Sequence, residues 1–130
     1  MLSYLFIGAN DVEASARFYD AILSPLRYEK EQSEGQYCFS LPETVDKSNG
    51  PGSIHIARPF DGQPATTGNG MMPALRADSR QKVDEVHAAG VASGGTDEGK
   101  PGIREAYTAD FYVAYLRDPI GNKIAVFFKG

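Results

Sequence analysis

The stretch YVAYLRDPIGNKIAVFF, at residues 112–128, decides the fold of this chain. Both of its arms are rich in aromatic and β-branched residues, which favour β-strands. The DPIGN segment between the arms has the proline, glycine and asparagine that tight turns use. The stretch therefore predicts a β-hairpin with strands at 111–117 and 123–129.

The second arm of this hairpin has two distinct faces, because successive side chains of a strand point to opposite sides of its sheet. Ile124, Val126 and Phe128 form a bulky apolar row, and we expect a helix to cover it. Ala125 and Phe127 then face the other way. We expect that second side to be the wall of a cavity.

The same alternation occurs in two other predicted strands, SIHIAR (53–58) and LSYLFIG (2–8). Both isoleucines of the first strand, and Leu5 and Ile7 of the second, lie on the side that a helix would cover. The residues that face inward in these strands are Tyr4, Phe6 and His55.

Two segments have the apolar spacing of amphipathic helices. The helix at 10–23 has Asn10 as its predicted N-cap, and the helix at 79–90 has Ser79 as N-cap and Gly90 at its C-terminal end. The other predicted strands are at 27–32, 36–41 and 71–77.

The order of strand, helix and further strands occurs twice, with an offset of about 68 residues. This duplication predicts an α+β fold in a single domain, residues 1–130. Module 1 covers about 1–58, module 2 covers about 71–130, and a linker at 59–70 joins them. The linker is rich in turn residues, so we expect it to be ordered, and it could cover the mouth of a cavity.

Composition excludes several classes of protein. A net charge of −4 argues against a nucleic-acid partner, which would need a basic face. No apolar run is long enough to cross a membrane, and the apolar start of the chain has no positive region before it, so we expect a strand there and not a signal peptide.

The single cysteine, Cys38, fits a reducing compartment, so we expect a cytoplasmic protein. Without a neighbouring activating residue, Cys38 is interpreted as an ordinary strand residue.

The segments NDVEASARFYDAILSPLRY (10–28) and YLRDPIGNKIAVFF (115–128) resemble the opening and the closing hairpin of the glyoxalase/bleomycin-resistance/dioxygenase superfamily, also called vicinal oxygen chelate proteins. The resemblance covers nearly the whole chain. It implies that two βαβββ modules form a curved, mostly antiparallel eight-stranded sheet, with helices on the outer face and a cavity inside. It also implies a homodimer.

Metal-dependent members of that family place His or Gln, Glu, His and Glu on the first and fourth strands of the two modules. By resemblance these positions correspond to Tyr4, His55, Met72 and Ala125. A transition metal needs at least three converging N, O or S donors. Here only His55 is an ordinary ligand, so we expect no metal and no cofactor.

The candidate ligand-binding residues are Tyr4, Phe6, His55, Met72, Tyr115 and Phe127. His55 and Tyr115 are also the candidate catalytic residues, since imidazole exchanges protons near neutral pH and a phenol can bond a ligand oxygen. Each residue has an alternative interpretation. His55 could be a strand histidine whose hydrogen bonds go to the backbone or to water, and Tyr115 could contribute only aromatic packing. Arg76 could contact an anionic ligand at the rim, or could remain solvated. His87, on the second helix, is expected on the outer side.

These observations leave three functional hypotheses. The first is a binding protein of the glyoxalase/bleomycin-resistance type with a metal-free or degenerate cavity. The second is a glyoxalase-like or lyase-like enzyme that uses His55 with Tyr115, or an unrecognised metal site. The third is a packed domain that acts through its surface. For the first, we expect a small aromatic or conjugated ligand with a carbonyl or carboxylate. If His55 holds a carboxylate, binding weakens as pH rises and the imidazolium loses its charge.

Overall fold

A computed structural model describes residues 1–130 as two units of the same βαβββ type. The elements, in chain order, are β1 (Tyr4–Gly8), α1 (Val12–Leu23), a short 3-10 turn (Ser24–Leu26), β2 (Glu29–Ser33), β3 (Gln36–Ser40), β4 (Ser53–Ala57), β5 (Ala74–Arg76), α2 (Arg80–Ala92), β6 (Thr96–Ile103), β7 (Phe111–Arg117) and β8 (Lys123–Lys129). The α+β class predicted from the sequence is confirmed. Neither helix combines the length and the apolar character that crossing a membrane requires.

The strands form two four-stranded sheets with the orders β1-β4-β3-β2 and β5-β8-β7-β6. In each sheet one pair of strands is parallel, β1 with β4 and β5 with β8, and the other pairs are antiparallel. The identical order supports the duplication. The single eight-stranded sheet that the resemblance implied is not formed by these hydrogen bonds. β1 and β5 are both edge strands; β5 has only three residues, and Pro73 before it has no N–H to donate to a second neighbour.

The structure corrects two predicted helix ends. Helix α1 is capped by Asp11, whose side chain accepts a hydrogen bond from the N–H of Ala14 at 3.0 Å, and not by Asn10. Ser79 caps α2 as predicted. However, α2 does not end at Gly90 but continues to Ala92.

Gly90 is required by packing between the two modules. A Cβ at this position would lie 2.7 Å from Cδ1 of Leu116 and 2.9 Å from Cγ2 of Ile22. These distances are shorter than van der Waals contact. Its missing side chain therefore lets α2 approach both α1 and β7.

Strand β6 was not predicted, because its sequence TDEGKPGI is rich in residues that weaken strands. It pairs with β7 through an irregular register, with shifts between Asp97 and Gly99 and between Gly99 and Gly102. Gly99 lies opposite Tyr115, and a Cβ there would be 2.8 Å from Cδ2 of that ring. The glycine lets the tyrosine ring lie close over β6.

One core cluster of 19 buried residues joins both helices to the outer faces of both sheets. It includes the rows that the alternation predicted, namely Ile54 with Ile56 and Ile124 with Val126. Val113 and Ala125 are also buried but do not belong to this cluster. Each sheet therefore has an outer face under the helices and an inner face turned away from them.

Asp118, at the start of the DPIGN turn, explains why the hairpin motif is kept. Its carboxylate accepts hydrogen bonds from the backbone N–H groups of Ile120 and Asn122 and from the side chain of Asn122. It also accepts one from the hydroxyl of Tyr19, at 2.6 Å, in the buried space between the hairpin and α1. The turn therefore connects the two modules.

The linker is fixed to both modules by side-chain hydrogen bonds. The amide of Asn10 donates to the carbonyl of Ala65 and accepts from its N–H, at 3.1 and 2.7 Å. Thr67 donates to the carbonyl of Ile120, and the N–H of Gly68 donates to Asn122. Asn10 therefore positions the linker instead of capping a helix.

Candidate functional site

The inner face of the first sheet presents aromatic side chains to an open space. Tyr4 and Phe6 of the edge strand β1 remain 49% and 47% exposed. His55 of β4 is in register with Phe6, and its ring meets that of Tyr4 edge-on at 5.2 Å between centroids. The structure therefore groups three predicted ligand-binding residues, Tyr4, Phe6 and His55, on one surface.

His55 already has a hydrogen-bond partner. Its Nε2 lies 2.6 Å from the carbonyl oxygen of Ser48, so this ring nitrogen carries a proton and donates it. Cys38, opposite His55 on β3, has its Sγ 3.9 Å from the same nitrogen and donates to the carbonyl of Lys47. Burial and the nearby charge of Glu31 raise the pKa of the Cys38 thiol, so the group is not an activated nucleophile.

The inner face of the second sheet is a platform of aromatic rings. Phe111 of β7 stacks on Phe127 of β8 at 5.1 Å, and Tyr107 meets Phe111 edge-on at 5.4 Å. The hydroxyl of Tyr115 lies 3.5 Å from that of Tyr107. Burial, together with this hydrogen bond, raises the pKa of Tyr115, which keeps its hydroxyl neutral. We call Tyr107, Phe111, Tyr115 and Phe127 the aromatic platform.

Three cations contact the aromatic platform. The guanidinium of Arg76 lies 4.8 Å from the centre of the Phe127 ring. The ammonium of Lys123 and the guanidinium of Arg104 lie 4.7 and 5.7 Å from the centre of Tyr115. These distances are typical of cation–π contacts.

A fourth cation of this region, Arg117, is neutralised by a carboxylate. Its guanidinium lies 3.1 Å from Glu98 and also donates to the carbonyl of Gly121. The hydrogen bond that Arg117 donates to Glu98 lowers the pKa of that carboxyl group, and the charge of Lys123 lowers it further. The region therefore keeps an excess of positive charge.

A cavity of about 170 Å³ lies between the modules. Phe6 of the first sheet and Lys123 of the second both line it, and Thr66 and Gly68 of the linker form part of its wall. A second cavity of about 300 Å³ lies beside it, lined by Lys123 and Met72 among others. Lys123 borders both spaces.

Comparison with solved structures places the chain in a family. A glyoxalase/bleomycin resistance protein from Albidiferax ferrireducens T118 is 40% identical to it, with a TM-score of 0.85 over 100% of this chain and 99% of the other. The chain belongs to the glyoxalase/bleomycin resistance/dioxygenase family. The resemblance seen in the sequence is therefore confirmed.

More distant structures share the fold of this family. A glyoxalase-related enzyme from Fulvimarina pelagi is 19% identical, with a TM-score of 0.73 over 99% of this chain and 88% of the other. A family enzyme from Burkholderia phytofirmans PsJN is 18% identical, with a TM-score of 0.71 over 98% of both chains. No family model matches the sequence, and neither does any curated protein.

The residues at the metal-ligand positions of this family do not fit a metal. Ala125 is 3% exposed and lies opposite Ala74 and Tyr115, so its methyl group is enclosed by neighbouring strands. Met72 precedes β5 and is 45% exposed. No three His, Cys, Asp or Glu side chains of the chain converge closely enough to hold an ion. These side chains therefore offer one imidazole at the four positions, which is fewer donors than a transition metal needs.

The sequence located part of this site and missed part. The predicted residues of β1 and β4 form one group, and Tyr115 and Phe127 belong to a second group on the other sheet. The inward position of Lys123 could have been predicted from the sequence, since Lys123 lies on the same face of its strand as Ala125 and Phe127. Arg104 and Tyr107 lie in the segment between β6 and β7, and no periodic pattern indicates their position. His87 packs on the outer side, where its Nε2 lies 2.9 Å from Asp97.

Proposed function

We propose that this chain is a small-molecule-binding member of the family, with a ligand site on the inner faces of its sheets and no metal in that site. The observation that carries this proposal is the half-exposed state of Tyr4 and of Phe6, which lines the inter-module cavity. Large aromatic side chains that remain open on a concave surface, together with a few polar groups, are typical of ligand sites.

Binding is favoured over acid–base catalysis by the positions of the two candidate catalytic residues. His55 lies on the first sheet and Tyr115 on the second. Each already has a hydrogen-bonding neighbour, the carbonyl of Ser48 and the hydroxyl of Tyr107 respectively. Neither residue hydrogen-bonds the other, and the proton on Nε2 of His55 is held by the Ser48 carbonyl.

A homodimer is part of the proposal. Its support is the resemblance together with exposed apolar side chains near the inner face, since Phe60 is fully exposed and borders a cavity that Phe6 also lines. A second copy that covers this region would remove these side chains from water, which is favourable.

Native mass spectrometry of the freshly purified protein, with parallel metal analysis, tests the proposal. We expect a dimer with less than about one-tenth of a transition metal per chain, because a single imidazole cannot complete a site. A near-stoichiometric metal that survives dialysis, and that is lost in His55→Ala, would overturn the metal-free site. The Cys38→Ser variant is the control for metal bound adventitiously through the thiol.

A further inference from the structure

We infer that the ligand of the inner face is a planar conjugated carboxylate, held over the aromatic platform by Arg76 and Lys123. This inference rests on the proposed function and adds the charge class and the anchoring residues of the ligand. Neither residue belongs to the first sheet, where His55 lies.

The first argument is the state of charge of these two residues. Neither Arg76 nor Lys123 takes part in any ion pair of the structure. The chain as a whole is acidic, with 17 Asp and Glu against 13 Lys and Arg. Unpaired cations grouped on one face of an acidic chain create a local positive potential, which attracts anions.

Two carboxylates near the platform are already engaged. Glu98 is bound by Arg117, and Asp110, next to Phe111, is bound by Lys129 at 3.2 Å. Arg104 donates to the carbonyl of Lys100 at 2.6 Å, which occupies part of its guanidinium. Arg76 and Lys123 therefore remain the cations best able to receive an anion from solution.

The second argument is the planarity of the surface between the two cations. Arg76 is in register with Phe127 on β8, and Lys123 lies four positions earlier on that strand. At about 3.3 Å per residue this separates their backbones by roughly 13 Å. Between them lie the short side chains of Ala74 and Ala125, with the ring of Phe127 beside Arg76 and Tyr115 opposite Ala125.

A flat conjugated molecule can lie against the rings of this face. Its π-system can stack beside Phe127 or Tyr115, while its carboxylate reaches the fork of Arg76 or the ammonium of Lys123. A guanidinium held over a ring keeps its other edge available for a carboxylate. The apolar part of the molecule can extend into the cavity that Lys123 shares with Phe6.

The test uses trans-cinnamate and its neutral amide, cinnamamide, which have the same shape and differ in charge. Both are titrated into the purified full chain by isothermal calorimetry at low salt, with Arg76→Gln and Lys123→Gln as variants. Arg80→Gln is the matched control, because its guanidinium lies 5.2 Å over the Tyr112 ring but belongs to α2 and not to the inner face. Inorganic phosphate serves as an anion without a π-system.

We expect cinnamate to bind at least about tenfold more tightly than cinnamamide, and each inner-face variant to remove most of that difference. Arg80→Gln and the wild type should behave alike, and phosphate should compete poorly. Equal binding of the acid and the amide, unaffected by Arg76→Gln and Lys123→Gln, would overturn the inference and leave the proposed function standing. Phosphate competing as well as cinnamate would overturn the planar ligand class. Absence of any binding up to about 5 mM would overturn the inference.

Discussion

At the scale of single residues, Asp118 shows what the closing hairpin motif does for the structure. Asp118 keeps its role, because four donors converge on its carboxylate and one of them, the Tyr19 hydroxyl, comes from the other module. Ala125, which the resemblance matches to a metal-ligating position, is a buried methyl group. The hydrogen bonds that hold the hairpin turn therefore do not involve the side chain at residue 125.

We predict that Tyr19→Phe lowers the free energy of unfolding by about 1–3 kcal/mol, because it removes a buried hydrogen bond to a carboxylate. Urea denaturation measures the change. Tyr112→Phe is the matched control, since the Tyr112 hydroxyl donates to Asp84 at the same distance of 2.6 Å but in an exposed setting. A loss that is no larger in Tyr19→Phe than in Tyr112→Phe would show that the Asp118 contact is not structural.

The same pair predicts a dependence of stability on alkaline pH. Burial raises the pKa of Tyr19 well above its usual value near 10, and the charge of Asp118 raises it further. A raised pKa in the folded state stabilises the protein fully below the unfolded value, and this contribution is lost as pH rises toward the folded value. Unfolding should therefore become easier above about pH 10, and the slope should be shallower in Tyr19→Phe.

At the scale of secondary-structure elements, periodicity predicted most of the arrangement. The closing hairpin follows from its strand-forming residues and its turn residues, and both helices and the outer faces of β4 and β8 follow from apolar spacing. Strand β6 does not, since its glycines and proline carry no strand pattern and its pairing depends on the neighbouring β7. Strand β5 is shorter than predicted because Pro73 cannot donate to the ladder.

The contact of α2 with α1 and β7 predicts that Gly90→Ala destabilises the protein. Alanine normally favours a helix by about 1 kcal/mol over glycine. Here the new methyl group would press on Leu116 and Ile22, and overpacking of this kind costs about 1–3 kcal/mol. Thermal unfolding measures whether Gly90→Ala raises or lowers the stability. The control is Ala88→Gly on the exposed side of α2, which changes helix propensity alone. A higher melting temperature for Gly90→Ala would contradict the close packing of the modules.

The two faces of β8 predict opposite consequences for two truncations. Ile124 is 2% exposed in the core cluster, so Ile124→Ala should cost about 2–5 kcal/mol of stability. Phe127 is half-buried on the aromatic platform, so Phe127→Ala should cost less stability and should weaken ligand binding. Denaturant melts of both variants check this order. If Phe127→Ala proves the more destabilising, the assignment of inner and outer faces is inverted.

At the scale of the whole molecule, the candidate site depends on contacts that no single segment reveals. Arg76, Arg104 and Lys123 come from three separate parts of the chain and meet on the aromatic platform. The carbonyl of Ser48, which accepts the hydrogen bond from Nε2 of His55, belongs to the long loop between β3 and β4. Strand alternation could therefore predict which side chains face inward, but not which of them remain free to bind a ligand.

The most direct test of the central claim is an amide ¹⁵N–¹H NMR titration of the full chain with cinnamate and cinnamamide. Binding on the inner faces should shift the backbone signals of β1, β4, β5, β7 and β8 around Phe6, Ala125 and Phe127. The exposed sides of α1 and α2, including Ala88, should be unaffected. Shifts confined to the helices, with the inner strands unchanged at saturation, would contradict a ligand site on the inner faces.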